Sequence, residues 1–198
     1  MAGEPDYLSA TRVSFKLSEH QEGDSVMWFG SDVTPLLVTG VKEHKVVDGR
    51  NLFGTWTDGK SWNDGYEALA SRDMNRDGVI RGDELADIKL WFDSNRDGVS
   101  DPGEIQDLLS HEISSLSTKA TREVNHEIFG VRQIINDQGY TTVLGQLGAS
   151  VDWFVPTGDM AEAWQHIVDS TRQKNSGLLY LRDAGAEEDP LNTAPVDY

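Results

Sequence analysis

Residues 73–84 read DMNRDGVIRGDE and residues 93–104 read DSNRDGVSDPGE. Both place oxygen-bearing side chains at positions 1, 3, 5 and 12 and glycine at position 6, as a 12-residue EF-hand calcium loop requires. Calcium is a hard ion that takes six to eight oxygen ligands in a flexible shell, and one tight turn can supply most of them. In the first loop Asp73, Asn75 and Asp77 are expected to offer side-chain oxygens, Val79 its carbonyl and Glu84 both carboxylate oxygens. Arg81 holds position 9, where water is often the ligand, and its positive charge works against the ion. In the second loop Asp93, Asn95, Asp97, the Val99 carbonyl and Glu104 repeat the scheme, and Asp101 adds an acid at position 9. The second loop therefore carries more direct carboxylate charge and is expected to bind more tightly. Magnesium fits poorly because it demands a tighter octahedron and retains its waters. The expectation is two Ca2+ ions.

The spacing of the loops sets the expected fold. Residues 85–92 alone separate them, too few for an ordinary EF-hand pair. A single short helix over about 83–92 is expected to leave the first loop and enter the second, with Leu85, Ile88 and Phe92 on one face. Ser61 is expected to cap a preceding helix over 62–72, with Asp64 in its first turn. Asp101 and Pro102 are expected to open a third, with Ile105, Leu108 and Leu109 as its apolar stripe. Outside this helical unit the pattern favours strands over 11–17, 26–29, 36–41, 130–135, 140–147 and 149–155. Asp137-Gln138-Gly139 reads as a link between two of them, residues 113–117 and 120–129 carry mixed signals with alternation slightly favoured, and 159–171 reads as a further helix. The fold class expected is α+β: short helices forming two closely spaced EF-hand-like calcium loops with a shared helix, packed on a small antiparallel sheet. The corresponding organisation is a lead-in with a possible strand over 1–25, a calcium-binding domain over 26–155, an extension over 156–182 and a tail over 183–198.

Composition narrows the partners. Acidic residues outnumber basic ones 34 to 17, for a formal charge of −17. Such a surface repels nucleic acid and anionic membranes and favours divalent cations or cationic partners. There is no cysteine, so disulfides, thiol catalysis and thiolate metal sites are excluded. No apolar stretch is long enough to span a bilayer, and the N-terminus lacks the basic and apolar segments of a cleaved signal peptide. His111-Glu112 and His126-Glu127 do not continue into HExxH, and the six tryptophans are better explained as core than as a recognition face.

Residues 51–108 also carry an LFG turn at 52–54, GYEALA at 65–70 and LWFD at 90–93 between the loops, followed by ISSLST at 113–118 and ASVDWF at 149–154. This combination resembles calcium-binding modules of large secreted bacterial RTX-type proteins, and in particular the self-processing module of FrpC-like proteins. The resemblance implies a secreted or cell-surface protein without a cleaved N-terminal signal, whose partner is another protein or the remainder of a larger chain. In self-processing members, calcium-driven folding promotes cleavage of an Asp-Pro bond at the N-terminal edge of the module. This sequence departs from that pattern: it has Pro5-Asp6 in the reverse order, and its stretch upstream of the LFG turn, TGVKEHKVVDGR, keeps only Asp48 and Gly49 of the expected acid- and glycine-rich motif. Asp-Pro occurs at Asp101-Pro102, inside the second loop, and at Asp189-Pro190 near the C-terminus. The favoured reading is a calcium-folded structural or interaction module without catalytic residues. The alternatives are self-processing, with Asp189 and Pro190 as the reacting pair, and an intracellular calcium sensor.

Overall fold

The computed structural model of the protein describes residues 11–19, 21, 25–28, 33–126, 131–154 and 180–182. The expected helix over 159–171 and the Asp189-Pro190 bond lie outside them. The strands are β1 (Thr11–Ser14), β2 (Ser25–Trp28), β3 (Leu36–Thr39), β4 (Val79–Arg81), β5 (Ile88–Trp91) and β6 (Ile105–Asp107). They continue as β7 (Ile113–Ser117), β8 (Arg122–His126), β9 (Val131–Thr142), β10 (Leu147–Trp153) and β11 (Tyr180–Arg182). β1 and β2 form an antiparallel hairpin of their own. The others make one sheet in the order β4-β7-β9-β10-β11-β3-β5-β6, with β8 also paired to β9.

The α+β expectation is corrected by this architecture. Among the described residues the α-helix is α1 (Gly65–Ala70), joined by short 3-10 turns. It is capped by Asp64, whose carboxylate accepts the Glu67 amide at 2.7 Å, so the cap lies three residues beyond Ser61. The expected shared helix is absent: residues 82–85 form a 3-10 turn and 88–91 form β5. Leu85, Ile88 and Phe92 match a helical period, but Ile88-Lys89-Leu90-Trp91 is β-branched and aromatic enough to sit between β3 and β6. The expected third helix is also absent, because Gly103 takes φ of 96° and the chain enters β6 within two residues. Leu109, assigned to that helix's buried stripe, is 67% exposed. Of the strands expected over 130–135 and 140–147, residues 143–146 are instead the turn into β10, and 131–142 form one 12-residue strand, β9. Asp137, Gln138 and Gly139 are a bulge in it, because Asn136 faces Ser150 while Tyr140 faces Gly148.

The sheet is buried on both faces, and side-chain alternation sorts the core into two layers. Leu36, Val38, Trp91, Ile135, Val151 and Trp153 pack with Val13, Phe15, Val26, Met27 and Trp28 from the β1–β2 segment. Leu37, Ile88, Leu90, Ile134 and Tyr140 face the other way, onto Phe53, Tyr66, Ala68 and Leu69 from the LFG turn and α1. This two-sided burial explains why β3 reads as an unbroken apolar run rather than an alternating one. No described helix is long and apolar enough to cross a membrane.

Candidate functional site

The two acidic loops adopt the same conformation although their flanking structure differs. In the first, both Asp73 oxygens accept loop amides, Oδ2 from Gly78 at 2.8 Å and Oδ1 from Asp77 at 3.2 Å. In the second, Asp93 takes the equivalent amides of Gly98 at 2.9 Å and Asp97 at 3.3 Å. Asn75 accepts from Asp77 and Asp77 from Val79, just as Asn95 accepts from Asp97 and Asp97 from Val99. The closing glutamates also correspond. Glu84 takes the amides of Met74 and Arg81, and Glu104 those of Ser94 and Asp101. The shared turn relies on left-handed residues at positions 4 and 6: Arg76 and Gly78 at φ of 60° and 89°, Arg96 and Gly98 at 59° and 75°. Two stretches that enter from a helix in one case and a strand in the other have thus converged on one hydrogen-bonded ring.

These backbone amides orient carboxylate and carboxamide oxygens without any cationic side chain at most positions, so the donor set is oxygen-only and suits a hard divalent ion. As they stand, however, the side chains do not converge: among the described residues no three His, Asp or Glu groups gather closely enough to hold an ion. Arg81 contributes to this in the first loop, its guanidinium pairing with Asp77. In the second loop Asn95 instead bridges Asp97 and Asp101 through its amide, at 2.9 and 3.2 Å.

The loops differ most in their surroundings. Val79 opens β4, and Ile80 is fully buried opposite Leu116 of β7. Val99 is exposed, and the Ser100 hydroxyl accepts the Val46 amide at 2.9 Å. The residue pair Ile80 and Ser100, which joins the two loops of an EF-hand pair, thus serves two separate attachments here. Asp93 is fully buried and accepts the indole N–H of Trp28. Glu104 is nearly so and accepts the indole N–H of Trp91 at 3.1 Å. Burial pushes the Asp93 carboxyl above the usual carboxylate range; the Gly98 and Trp28 donors pull it back, and the charge of Glu104 adds to the rise. The two indoles pack edge to face with centroids 5.3 Å apart, and Phe15 lies 4.9 Å from Trp28. Sequence reasoning assigned the tryptophans to the core but missed that two of them grip the first and last acids of the second loop. Nothing in local spacing could reveal it, since Trp28 is 65 residues from Asp93.

A second buried acid also escaped the sequence. Asp152, in β10, accepts the Gly65 amide at 2.7 Å where α1 begins, while the neighbouring Tyr66 hydroxyl donates to the Ser150 carbonyl at 2.8 Å. Burial pushes Asp152 up to about 7 against the Gly65 donor; the charge of Asp64 adds to the rise and Arg132 opposes it. Of the two His-Glu pairs, His126-Glu127 extends beyond the described residues, and His111 stacks on Phe92 with centroids 4.6 Å apart and meets Gln106 at 2.7 Å. Asp101 and Pro102 are both exposed on the second loop.

Residues 6–155, well over half of the chain, match the SPM domain. The chain belongs to the SPM domain family. Both acidic loops, α1 and every described strand except β11 fall inside the match. This SPM-domain chain is also similar to the iron-regulated protein FrpA of Neisseria meningitidis serogroup C, with 28% identity over 167 residues. The alignment takes in 79% of this chain but 15% of FrpA, so the chain spans a small part of that relative's length.

Proposed function

We propose that this SPM-domain protein is a calcium-stabilised structural and interaction module of an exported protein, with one ion bound at each loop. The observation that carries the reading is the repeated ring of amide hydrogen bonds, in which side-chain oxygens at positions 1, 3, 5 and 12 accept equivalent loop amides in both stretches. In such a site Asp73, Asn75, Asp77, Glu84 and the Val79 carbonyl would hold the first ion. Asp93, Asn95, Asp97, Asp101, Glu104 and the Val99 carbonyl would hold the second. Bound calcium would relieve repulsion among carboxylates that otherwise oppose folding. The small share of FrpA covered favours a module within a larger protein, and the acidic balance of the surface favours cationic protein surfaces over nucleic acid.

Calorimetric titration of the chelator-treated chain tests the reading, with magnesium as the comparison. Two calcium ions per chain and a raised unfolding temperature are expected, with no equivalent response to magnesium. Absence of both calcium heat and thermal shift would overturn it. Self-processing is the alternative that the likeness to FrpC-like modules brings. In the second loop the Asp101 carboxylate is engaged by Asn95, and a cut at Asp101-Pro102 would sever the ring. Intact mass before and after incubation with calcium separates the readings: an unchanged mass is expected of the structural module, and fragments ending at Asp101 or Asp189 would establish processing.

A further inference from the structure

β10 and β3 both belong to the stretch that matches the SPM domain, yet they are not neighbours in the sheet. Between them lies β11, contributed by residues 180–182 from beyond the end of the match. We propose that the backbone of Ala149–Val151, together with Leu36, forms a strand-acceptor site whose ligand is an extended polypeptide segment. Residues 180–182 are the ligand that this chain supplies to itself.

The pairing defines the site. Ala149, Ser150 and Val151 face Arg182, Leu181 and Tyr180, and Tyr180 also bridges to Leu36. The remainder of the same β3 edge is already covered from within the domain, by the Val38–Leu52 bridge and by the Phe53 amide donating to the Leu37 carbonyl at 3.2 Å. The gap is thus a short slot, closed at one end by the LFG turn and lined along one wall by β10. The bulge in β9 makes that wall more dependent on an added strand, because three residues of β9 lie opposite Ala149 alone. Leu36, Ser150 and Val151 are all buried in the completed sheet, so the backbone groups on these edges need partners that water does not readily provide. Main-chain pairing of this kind gives affinity to any extended segment, with selectivity left to side-chain fit.

Among the described residues β11 pairs with β10 at three positions, whereas β9 and β10 pair along most of their length. Opening of such a strand costs far less than global unfolding, so the segment can leave while the rest of the sheet stays formed. An SPM domain would then clasp polypeptide that follows it, whatever its ions are doing; the inference rests on sheet order and not on calcium.

Amide hydrogen exchange by NMR on the unaltered chain, with a Leu181→Pro variant and the peptide SGLLYLRDAG (residues 176–185), tests the proposal. Proline removes an N–H and is poorly accommodated within a sheet. In the unaltered chain, amides within 149–151 and 180–182 are expected to be protected and to open together. In the variant, protection within 149–151 is expected to fall roughly ten-fold or more while β5 amides keep theirs. Added peptide is expected to restore that protection and to bind saturably to the variant, with a scrambled peptide inert. Exchange of residues 180–182 at free-peptide rates in the unaltered chain would overturn the proposal even if the variant fails to fold. A variant that folds but binds no peptide would also overturn it. Protection of 180–182 seen only in a dimer would overturn self-occupancy and make a second copy the donor.

Discussion

The indole of Trp28 donates its N–H to the carboxylate of Asp93, the first acid of the second loop, in a fully buried contact. This bond ties the β1–β2 hairpin to a loop whose first acid also accepts the loop's own amides. The neighbouring Trp91 does the same for Glu104, at 3.1 Å. Both ends of the second loop are therefore held by the aromatic layer between hairpin and sheet, whereas the corresponding acids of the first loop, Asp73 and Glu84, are held by loop amides.

Trp28→Phe removes one of the two donors to Asp93 Oδ2 and leaves it the Gly98 amide. Loss of one hydrogen bond to a charged group costs about 1.5–3 kcal/mol. Urea unfolding at fixed calcium is expected to show a loss of about this size. Trp56→Phe, which alters a half-buried ring near Lys16 and Arg50, is expected to cost less. Equal losses in the two variants would show that the Trp28–Asp93 bond contributes little beyond ring volume.

The same asymmetry predicts distinguishable ion responses. Glu104→Gln is expected to remove the change in tryptophan emission on calcium addition, because Glu104 touches the Trp91 indole. Glu84→Gln is expected to remove one bound ion by calorimetry while leaving most of that emission change. Arg81→Ser, which frees Asp77 from its ion pair, is expected to tighten the first loop several-fold. Loss of the emission change in Glu84→Gln as well would mean that the loops do not report separately.

What the sequence made legible was local. The repeat of the two acidic stretches was readable because each is a single turn, and both turns take the matching amide pattern. Strand β7 lies over 113–117, where mixed signals slightly favoured a strand, although its buried residues Ile113 and Leu116 are three apart with a register shift between Ile113 and Ser115. The failures occurred where tertiary pairing overruled a short apolar pattern. Ile88 to Phe92 fits a helix and a doubly buried strand equally well, and β3 and β6 decide between them. The long-range grips of Trp28 on Asp93 and of Asp152 on Gly65 span 65 and 87 residues, beyond the reach of any spacing rule.

Two glycines separate backbone conformation from hairpin docking. Gly82 and Gly98 sit at φ of 58° and 75°, so alanine at either pays for a left-handed backbone, about 1–2 kcal/mol. A methyl at Gly82 meets nothing within 4 Å, whereas one at Gly98 would lie 2.9 Å from a Val13 methyl. Gly98→Ala is therefore expected to lose more stability than Gly82→Ala and to perturb hairpin amides near Val13 in NMR spectra. If both variants lose the same stability and leave Val13 unmoved, the hairpin is not seated firmly on the second loop.

Asp152 predicts a pH dependence of opposite sign to that of an ordinary surface-paired acid. Its carboxyl titrates near 7 in the folded chain, raised by burial from a reference value of 3.8. The folded state thus holds a proton that the unfolded chain has released, so stability declines as pH climbs through that interval. The associated stabilisation is complete below the unfolded value and is lost as pH passes through about 7. Asp152→Asn cannot ionise and retains an oxygen able to accept the Gly65 amide. Relative to the unaltered chain, the variant is expected to gain stability between pH 5 and pH 8.5, measured by urea unfolding at saturating calcium. A constant offset across that range would mean that Asp152 ionises in the folded chain as readily as in the unfolded one, and that its contact with the start of α1 does not depend on a proton.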